Sequence, residues 1–292
     1  MHYLFNISCR PHLPKVNIRI YYVIDLHPHP KTRRLTEIEN RQFTELGYVS
    51  GLPIFNQLSV RKIEQSFWAM REALPPGLDF NSVNCWHKAN RWVYDLTLTP
   101  ALLNYVEDLL GPHFFLWGAQ FFCKFPNDGT VVPWHQDAQY WPLSPRKAVS
   151  VWIAIFDTNL SNAAMQVVPG SHHHGAVTHR SVNNESYVLK EEINPDSIHL
   201  DEVVTFELKA GEMSLHDDGL IHGSGPNTSD RVRAGLALRF SPSDVVCDMS
   251  VWPTFEAYPV RGKQGLKNNP IGKIPTENGI PTKMFPHSSE FI

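Results

Sequence analysis

Apolar residues recur at helical spacing in the first third of the chain and at strand spacing through most of the rest. Thr36-Glu37-Ile38-Glu39 has the form of a capping box, and Ile38, Phe43 and Leu46 make an approximate stripe that Gly47 ends. Residues 48–55 predict a short strand interrupted by Gly51 and Pro53, and residues 60–73 a helix with Val60, Ile63, Phe67 and Met70 on one face. The clearest helix signal is 100–110. Thr99 stands at the N-cap, Pro100 at the first helical position and Gly111 just past the end, with Leu102, Leu103, Val106, Leu109 and Leu110 as the buried stripe. Residues 84–96, with Trp86, Trp92 and Tyr94, fit neither period.

From residue 114 the period shortens. Segments 115–125, 148–157, 165–168, 202–207 and 233–240 are rich in aromatic and β-branched residues, and Gly-, Pro- and Asn-bearing turns separate them. Helices first and short strands later predict a mainly β protein with flanking helices, a helical layer against a double-sheet barrel or sandwich. Residues 1–34 carry one candidate strand at 16–24 and read as an N-terminal extension without an assigned role. They make a poor signal peptide, lacking a basic start, a continuous apolar core and a small-residue cleavage site. After Asp244 the periodicity fades, and 262–286 reads as a loop packed on the surface or over a pocket mouth.

Charge and cysteine content narrow the function classes. The 26 basic and 29 acidic residues nearly balance, at −3, which implies neither a nucleic-acid nor a membrane partner. No apolar run approaches the ~20 residues that span a bilayer. Cys9, Cys85, Cys123 and Cys247 form no CxxC, so reduced, buried thiols in a cytoplasmic protein are the expectation. Nucleotide-binding glycine motifs, GxSxG, HExxH, heptads and internal repeats are all missing from the sequence.

The candidate chemistry lies in two stretches. VVPWHQDAQYW, residues 131–141, places His135 and Asp137 at i and i+2, which on a strand point the same way. LIHGSGPNTSDRVRAGLALRF, residues 220–240, holds His222 and then Arg231, Arg233 and Arg239. Two histidines and one carboxylate are the facial set that leaves open positions on a non-haem Fe(II). Spacing alone leaves a rival, since His216, Asp218 and His222 form a compact local cluster around a Gly turn. Arg233 opens an apolar strand, where an inward-pointing guanidinium needs an anionic partner and its fork suits a carboxylate. Arg231 is expected at the rim, and Arg239 either faces the barrel or pairs structurally. Trp134, Tyr140 and Trp141 either line a substrate pocket or belong to the core. Lys124 either attracts an anionic substrate group or sits on an outer strand face, and His172-His173-His174 reads as a surface loop.

Beyond these residues, LTPALLNYVEDLLGP, QFFCKFPNDG, WHQDAQYWPLSP, VSVWIAIFDTNLSNAAMQVVPGSHHHG and HGSGPNTSDRVRAGLALRF occur in an order and spacing that resembles the phytanoyl-CoA dioxygenase-like family of Fe(II)/2-oxoglutarate oxygenases. The resemblance covers 98–241 well and 35–70 more weakly. It implies a double-stranded β-helix, the cupin-like jelly roll. Residues 35–292 would then form a single catalytic domain, with helices in 35–110 packed on a core at about 114–241 and a loop-rich C-terminal tail. It implies Fe(II) on His135, Asp137 and His222, with Arg233 on the distal carboxylate of 2-oxoglutarate, and Trp152, Ser224 and Gln120 near that cosubstrate. His216 and Asp217 would flank the site, as substrate contacts or as turn packing. O₂ would be the oxidant. Chlorinating relatives replace the carboxylate ligand with a small residue, so Asp137 favours hydroxylation. The sequence departs from the family pattern at Asn162-Ala163, where Asn-Gly often stands. The family's substrates are diverse. A small polar metabolite, amino-acid-like, zwitterionic or an aminophosphonate, is the expected one, ahead of a natural product or an acyl-CoA, with the protein a monomer or homodimer. The rivals of another class are a non-catalytic cupin-like binding protein and a zinc hydrolase on the same ligands.

Overall fold

The computed structural model describes residues 26–198, 202–262 and 268–281. The candidate strand at 16–24 lies outside them, as do parts of the loop read at 262–286. Four α-helices, α1 (Glu37–Leu46), α2 (Gln57–Ala73), α3 (Arg91–Thr97) and α4 (Pro100–Leu110), are grouped near the N-terminal end of the described residues. The strands are β1 (Tyr48–Pro53), β2 (Phe114–Lys124), β3 (Val132–His135), β4 (Leu143–Ser144), β5 (Val149–Ala154), β6 (Gln166–Val167) and β7 (His179–Ser181). They continue as β8 (Glu191–Ile193), β9 (Val204–Thr205), β10 (Glu212–Asp217), β11 (His222–Ser224), β12 (Arg233–Pro242), β13 (Val246–Cys247) and β14 (Tyr258–Arg261).

Local chemistry accounts for the helices. The capping box of α1 is present, with Thr36 Oγ1 accepting from Glu39 N and Glu39 reaching back to Thr36 N, and Gly47 ends the helix in the left-handed region at φ 82°. Ile38, expected on its buried face, is instead 77% exposed, because the ends of α1 are set by caps and not by a full apolar stripe. Helix α2 begins three residues earlier than the stripe predicts, since Asn56 accepts from Ser59 N; Val60, Ile63, Phe67 and Met70 are buried as expected. At α4 the bounds agree, but Thr99 gives no side-chain cap. Its hydroxyl donates to Leu96 O instead. The ambiguous 84–96 region resolves into a short 3₁₀ turn at Trp86–Lys88 and α3, which Asn90 caps.

A six-stranded sheet runs in the order β1-β10-β5-β12-β2-β14, and a four-stranded sheet, β3-β11-β6-β9, faces it. All pairings within them are antiparallel. This is the jelly-roll arrangement of a mainly β fold with flanking helices. Strand β12 divides the molecule by its period of two. Ala234, Leu236, Leu238 and Phe240 enter the large core beneath the helices, with Phe67, Phe121 and Leu102. Arg233, Gly235, Ala237 and Arg239 face the other sheet. On that face Trp152 lies flat over Gly235, where an added Cβ would meet the indole at 2.0 Å, so only glycine fits. The segment 268–281 packs against α3 and the turn before it: Arg91 N donates to Glu277 O, and Gly279 N donates to Ala89 O. Among the described residues, Cys85, Cys123 and Cys247 are buried free thiols, and no helix is long and apolar enough to cross a membrane.

Candidate metal centre

His135 and His222 come together because β3 and β11 pair antiparallel with these two residues directly opposite each other. Their rings lie 4.1 Å apart, centroid to centroid. Asp137 does not lie on the strand, as its period-two reading supposes. Strand β3 ends at His135, and Asp137 opens a 3₁₀ turn, Asp137–Tyr140. Gln136 between them keeps an extended backbone (φ −107°, ψ 130°), so the two ligand candidates still converge. Gln136 itself points the other way. Its amide nitrogen donates to Gly175 O and Gly219 O, and its carbonyl accepts from Val177 N, tying the loop after β6 to the turn before β11.

The donor atoms suit a divalent ion. Asp137 Oδ1 is 3.6 Å from His135 Nε2 and 4.0 Å from His222 Nε2, spans that two bonds of about 2.1 Å can bridge. Nδ1 of His135 lies 2.8 Å from Pro133 O and Nδ1 of His222 lies 2.9 Å from Leu220 O. A carbonyl accepts only from N–H, so both rings carry the proton on Nδ1 and turn the Nε2 lone pair towards Asp137. Burial, with the neighbouring His135, pushes His222 well below the ordinary histidine range, keeping it a neutral donor. Burial works against ionisation of Asp137, yet its carboxyl is held well below the usual range, with Ser150 Oγ donating to it and the Arg239 charge nearby. Among the described residues His135, Asp137 and His222 form the group able to hold an ion. The rival set does not assemble. Its carboxylate, Asp218, accepts from the Ala148 backbone, and burial next to Asp217 and Asp137 pushes it up to about 7.

Under this triad the six-stranded sheet presents a polar row that spacing did not reveal. His216 on β10, Ser150 on β5 and Arg239 on β12 are cross-strand neighbours. Ser150 Oγ donates to Asp137 Oδ2 at 2.9 Å, and His216 Nε2 stands 3.7 Å from the same oxygen. The outer oxygen is thereby held while Oδ1 faces the histidines. Ser150→Ala is expected to lower divalent-metal affinity by about 10–100-fold, read by calorimetric titration with Co(II), while leaving the far-UV circular dichroism unchanged. An affinity within twofold of wild type would remove Ser150 from this role.

The triad opens into a cavity between the sheets that is continuous with solvent. Its walls include Trp152, Ser224, Arg233, His216 and Arg239. Arg233 is 2% exposed, and its guanidinium carbon sits 4.7 Å from the Trp152 ring. Its Nε is without a partner, and NH1 makes one long contact with Phe122 O at 3.4 Å. Burial pushes its pKa down to about 10, which leaves the charge in place near neutrality. Gln120, half-buried, pairs with the cavity residue Ala237 but is not in the wall itself. Trp134 packs with Ile193 and Ile198, Tyr140 donates to Glu191 O with its ring 5.9 Å from His135, and Trp141 packs edge-on to Trp117. Asp217 caps the turn at Gly219 N, and Arg231 is an exposed residue bonded to Asn159 and Ser161.

Lys124, directly across from Arg233 on β2, points inward but stops behind Ser224. Its Nζ donates to Ser224 O (3.0 Å), Ser224 Oγ (2.8 Å) and Gly225 O (2.5 Å), clamping the turn that follows His222. Burial, and then the Arg233 charge, push its pKa down to about 6. An unfolded lysine keeps its proton to about 10.4. The unfolded chain therefore binds more protons in between, so the burial penalty is full below about pH 6 and fades as pH rises. Wild type is expected to gain stability over Lys124→Met between pH 6.5 and 9 in urea melts; a pH-independent difference would mean the ammonium stays charged.

Comparison with known proteins returns one consistent set. A family model described as phytanoyl-CoA dioxygenase (PhyH) matches residues 63–235. A phytanoyl-CoA dioxygenase from Arabidopsis thaliana is 34% identical over 117 residues, 40% of this chain and 40% of that protein. The L-proline trans-4-hydroxylase of Streptomyces griseoviridis is 28% identical over 164 residues, 50% of this chain and 61% of that enzyme. The chain thus spans less than two thirds of the length of these curated relatives. Among solved structures, the non-heme monooxygenase ThoJ in its apo form has a TM-score of 0.69 at 27% identity, covering 82% of this chain and 89% of that one.

Proposed function

Because the chain belongs to the phytanoyl-CoA dioxygenase (PhyH) family, we propose that it is an Fe(II)/2-oxoglutarate-dependent hydroxylase of a small polar metabolite, working as one catalytic unit from residue 35 onward. The observation that carries this reading is the His135–Asp137–His222 cluster sharing one cavity with the buried guanidinium of Arg233.

His135, Asp137 and His222 would hold the ion on one face, leaving the cavity side open. Arg233 would clamp the distal carboxylate of 2-oxoglutarate, which supplies the anion its bare Nε lacks. Ser224, fixed by Lys124, and the Trp152 ring would bound the cosubstrate on two further sides. Bound in this way, Fe(II), 2-oxoglutarate and O₂ would supply oxidative decarboxylation to succinate and CO₂ coupled to hydroxylation of a substrate C–H bond. Ser150 and the carbonyls of Pro133 and Leu220 keep the ligand atoms aimed, while the apolar walls formed by Met165, Phe122 and Val132 limit water.

The relationship to a proline hydroxylase supports a small substrate. The nearly balanced net charge supplies no general attraction for the phosphates of an acyl-CoA. Buried free thiols fit a cytoplasmic setting.

Anaerobic addition of Fe(II) and 2-oxoglutarate should produce the weak visible charge-transfer band of a chelated keto acid. A metabolite screen should then find compounds that stimulate succinate release. A folded protein with no band, and no change on replacing Arg233, would sink the oxygenase reading.

A further inference from the structure

One buried cation remains after the cosubstrate is accounted for. Arg239 lines the same cavity as Arg233, on the same face of β12 and six residues further on, roughly 20 Å along the strand. It is 7% exposed, its Nε has no partner, and the structure gives its guanidinium no hydrogen bond or ion pair. The side chain runs over Gly118, where an added Cβ would meet its Cδ at 2.9 Å. The guanidinium carbon comes to rest 5.6 Å from the Phe122 ring and 5.7 Å from the Trp141 ring. Asp137 is close enough to oppose the loss of its charge, yet the two are not within ion-pair distance.

A charged group is not kept buried without a counter-charge unless a ligand supplies one. On the hydroxylase reading, the two charges of a ferrous ion are offset by the two carboxylates of 2-oxoglutarate, and Asp137 offsets one guanidinium. Asp217 and Asp218, the next carboxylates, stand outside the cavity wall. One positive charge is left on the wall. The Phe122 and Trp141 rings beside it hold the planar fork in place, a shape that matches a carboxylate through two parallel N–H···O bonds.

We propose that Arg239 anchors a carboxylate of the primary substrate, so that the substrate class is a small carboxylic acid held by its acid end at the opposite end of the β12 face from Arg233. The proposal rests on the oxygenase reading above. Arg239 then selects against neutral analogues, because an uncharged group leaves the guanidinium desolvated and unmatched.

The test is calorimetric titration of the anaerobic, Fe(II)- and 2-oxoglutarate-loaded protein with matched pairs: butyrate against butyramide, and L-proline against L-prolinamide. In wild type at least one acid should bind at least tenfold more tightly than its amide. Arg239→Met should erase that gap while changing 2-oxoglutarate affinity by less than threefold, and Arg239→Lys should keep part of it. Arg239→Gln, which retains donors, provides the same comparison if the methionine variant does not fold. Equal binding of acids and amides to wild type, with 2-oxoglutarate bound, overturns the Arg239 assignment alone. So does a loss of more than tenfold in 2-oxoglutarate affinity in Arg239→Met, which would make Arg239 part of the cosubstrate site. Failure of wild type to bind 2-oxoglutarate at all overturns the oxygenase reading, and this proposal with it.

Discussion

Asp137→Ala is expected to abolish succinate formation, by at least 10³-fold, and to weaken Fe(II) or Co(II) binding by at least 100-fold. The carboxylate supplies the negative charge of the ligand set, and it stands among His135, His216, His222 and Arg239. Removing it leaves two neutral histidines to bind a dication beside a buried guanidinium, which the low-dielectric surroundings penalise. Asp137→Asn separates charge from volume. Because Asn fills the same space, a comparable loss in both variants assigns the effect to the carboxylate charge. Metal affinity in Asp137→Asn within threefold of wild type would show that the histidines suffice, and would remove Asp137 from the ligand set.

Arg233→Met should raise the 2-oxoglutarate Kd by about 30- to 1,000-fold, the equivalent of about 2–4 kcal/mol for one partner of a buried, bidentate charge pair. Arg233→Lys should fall between, since an ammonium cannot reproduce the fork. The effect on stability should have the opposite sign. Without ligand, Arg233 is buried with an unpartnered Nε and one long contact, so methionine removes a desolvation cost and sacrifices little bonding. Thermal denaturation of the ligand-free variant is expected at or above the wild-type midpoint. A Tm several degrees lower, with 2-oxoglutarate affinity unchanged, would make Arg233 a structural residue. The pairing of weaker binding with equal or greater stability identifies a residue retained for its ligand.

The elements that the sequence disclosed are those whose causes lie within a few residues. Thr36 and Glu39 cap α1 across three positions, Gly47 stops it, and Pro100 starts α4, all through local backbone chemistry. Alternation along 233–240 gave β12 with Arg233 on the face away from the apolar core. A residue with two uses open to it is the kind that its local sequence leaves undetermined. Ile38 has the right period and lies in water; Thr99 has the right side chain and bonds backwards to Leu96. The aromatic neighbours of the ligands differ in the same way, because whether Trp134 or Trp141 reaches a cavity depends on what packs behind it.

His135, Asp137, His222 and Arg233 stand out as candidates in the sequence because each carries a chemistry few other residues supply, in a spacing tied to a family pattern. The sequence could not supply the cross-strand register. His135 faces His222 through an antiparallel pairing 87 residues apart in number, and the same kind of pairing places His216, Ser150 and Arg239 in one row under Asp137. Ser150 is an ordinary serine in a strand until that row gives its hydroxyl a carboxylate to hold. Lys124 could face in or out by period alone, and only the turn at Ser224 and Gly225, three acceptors arriving from a distant strand, fixes it inward. Ligand identity is thus written in residue type, which the chain carries locally. Ligand orientation and the spare cation beside it come from strand pairing, which depends on where the whole chain packs.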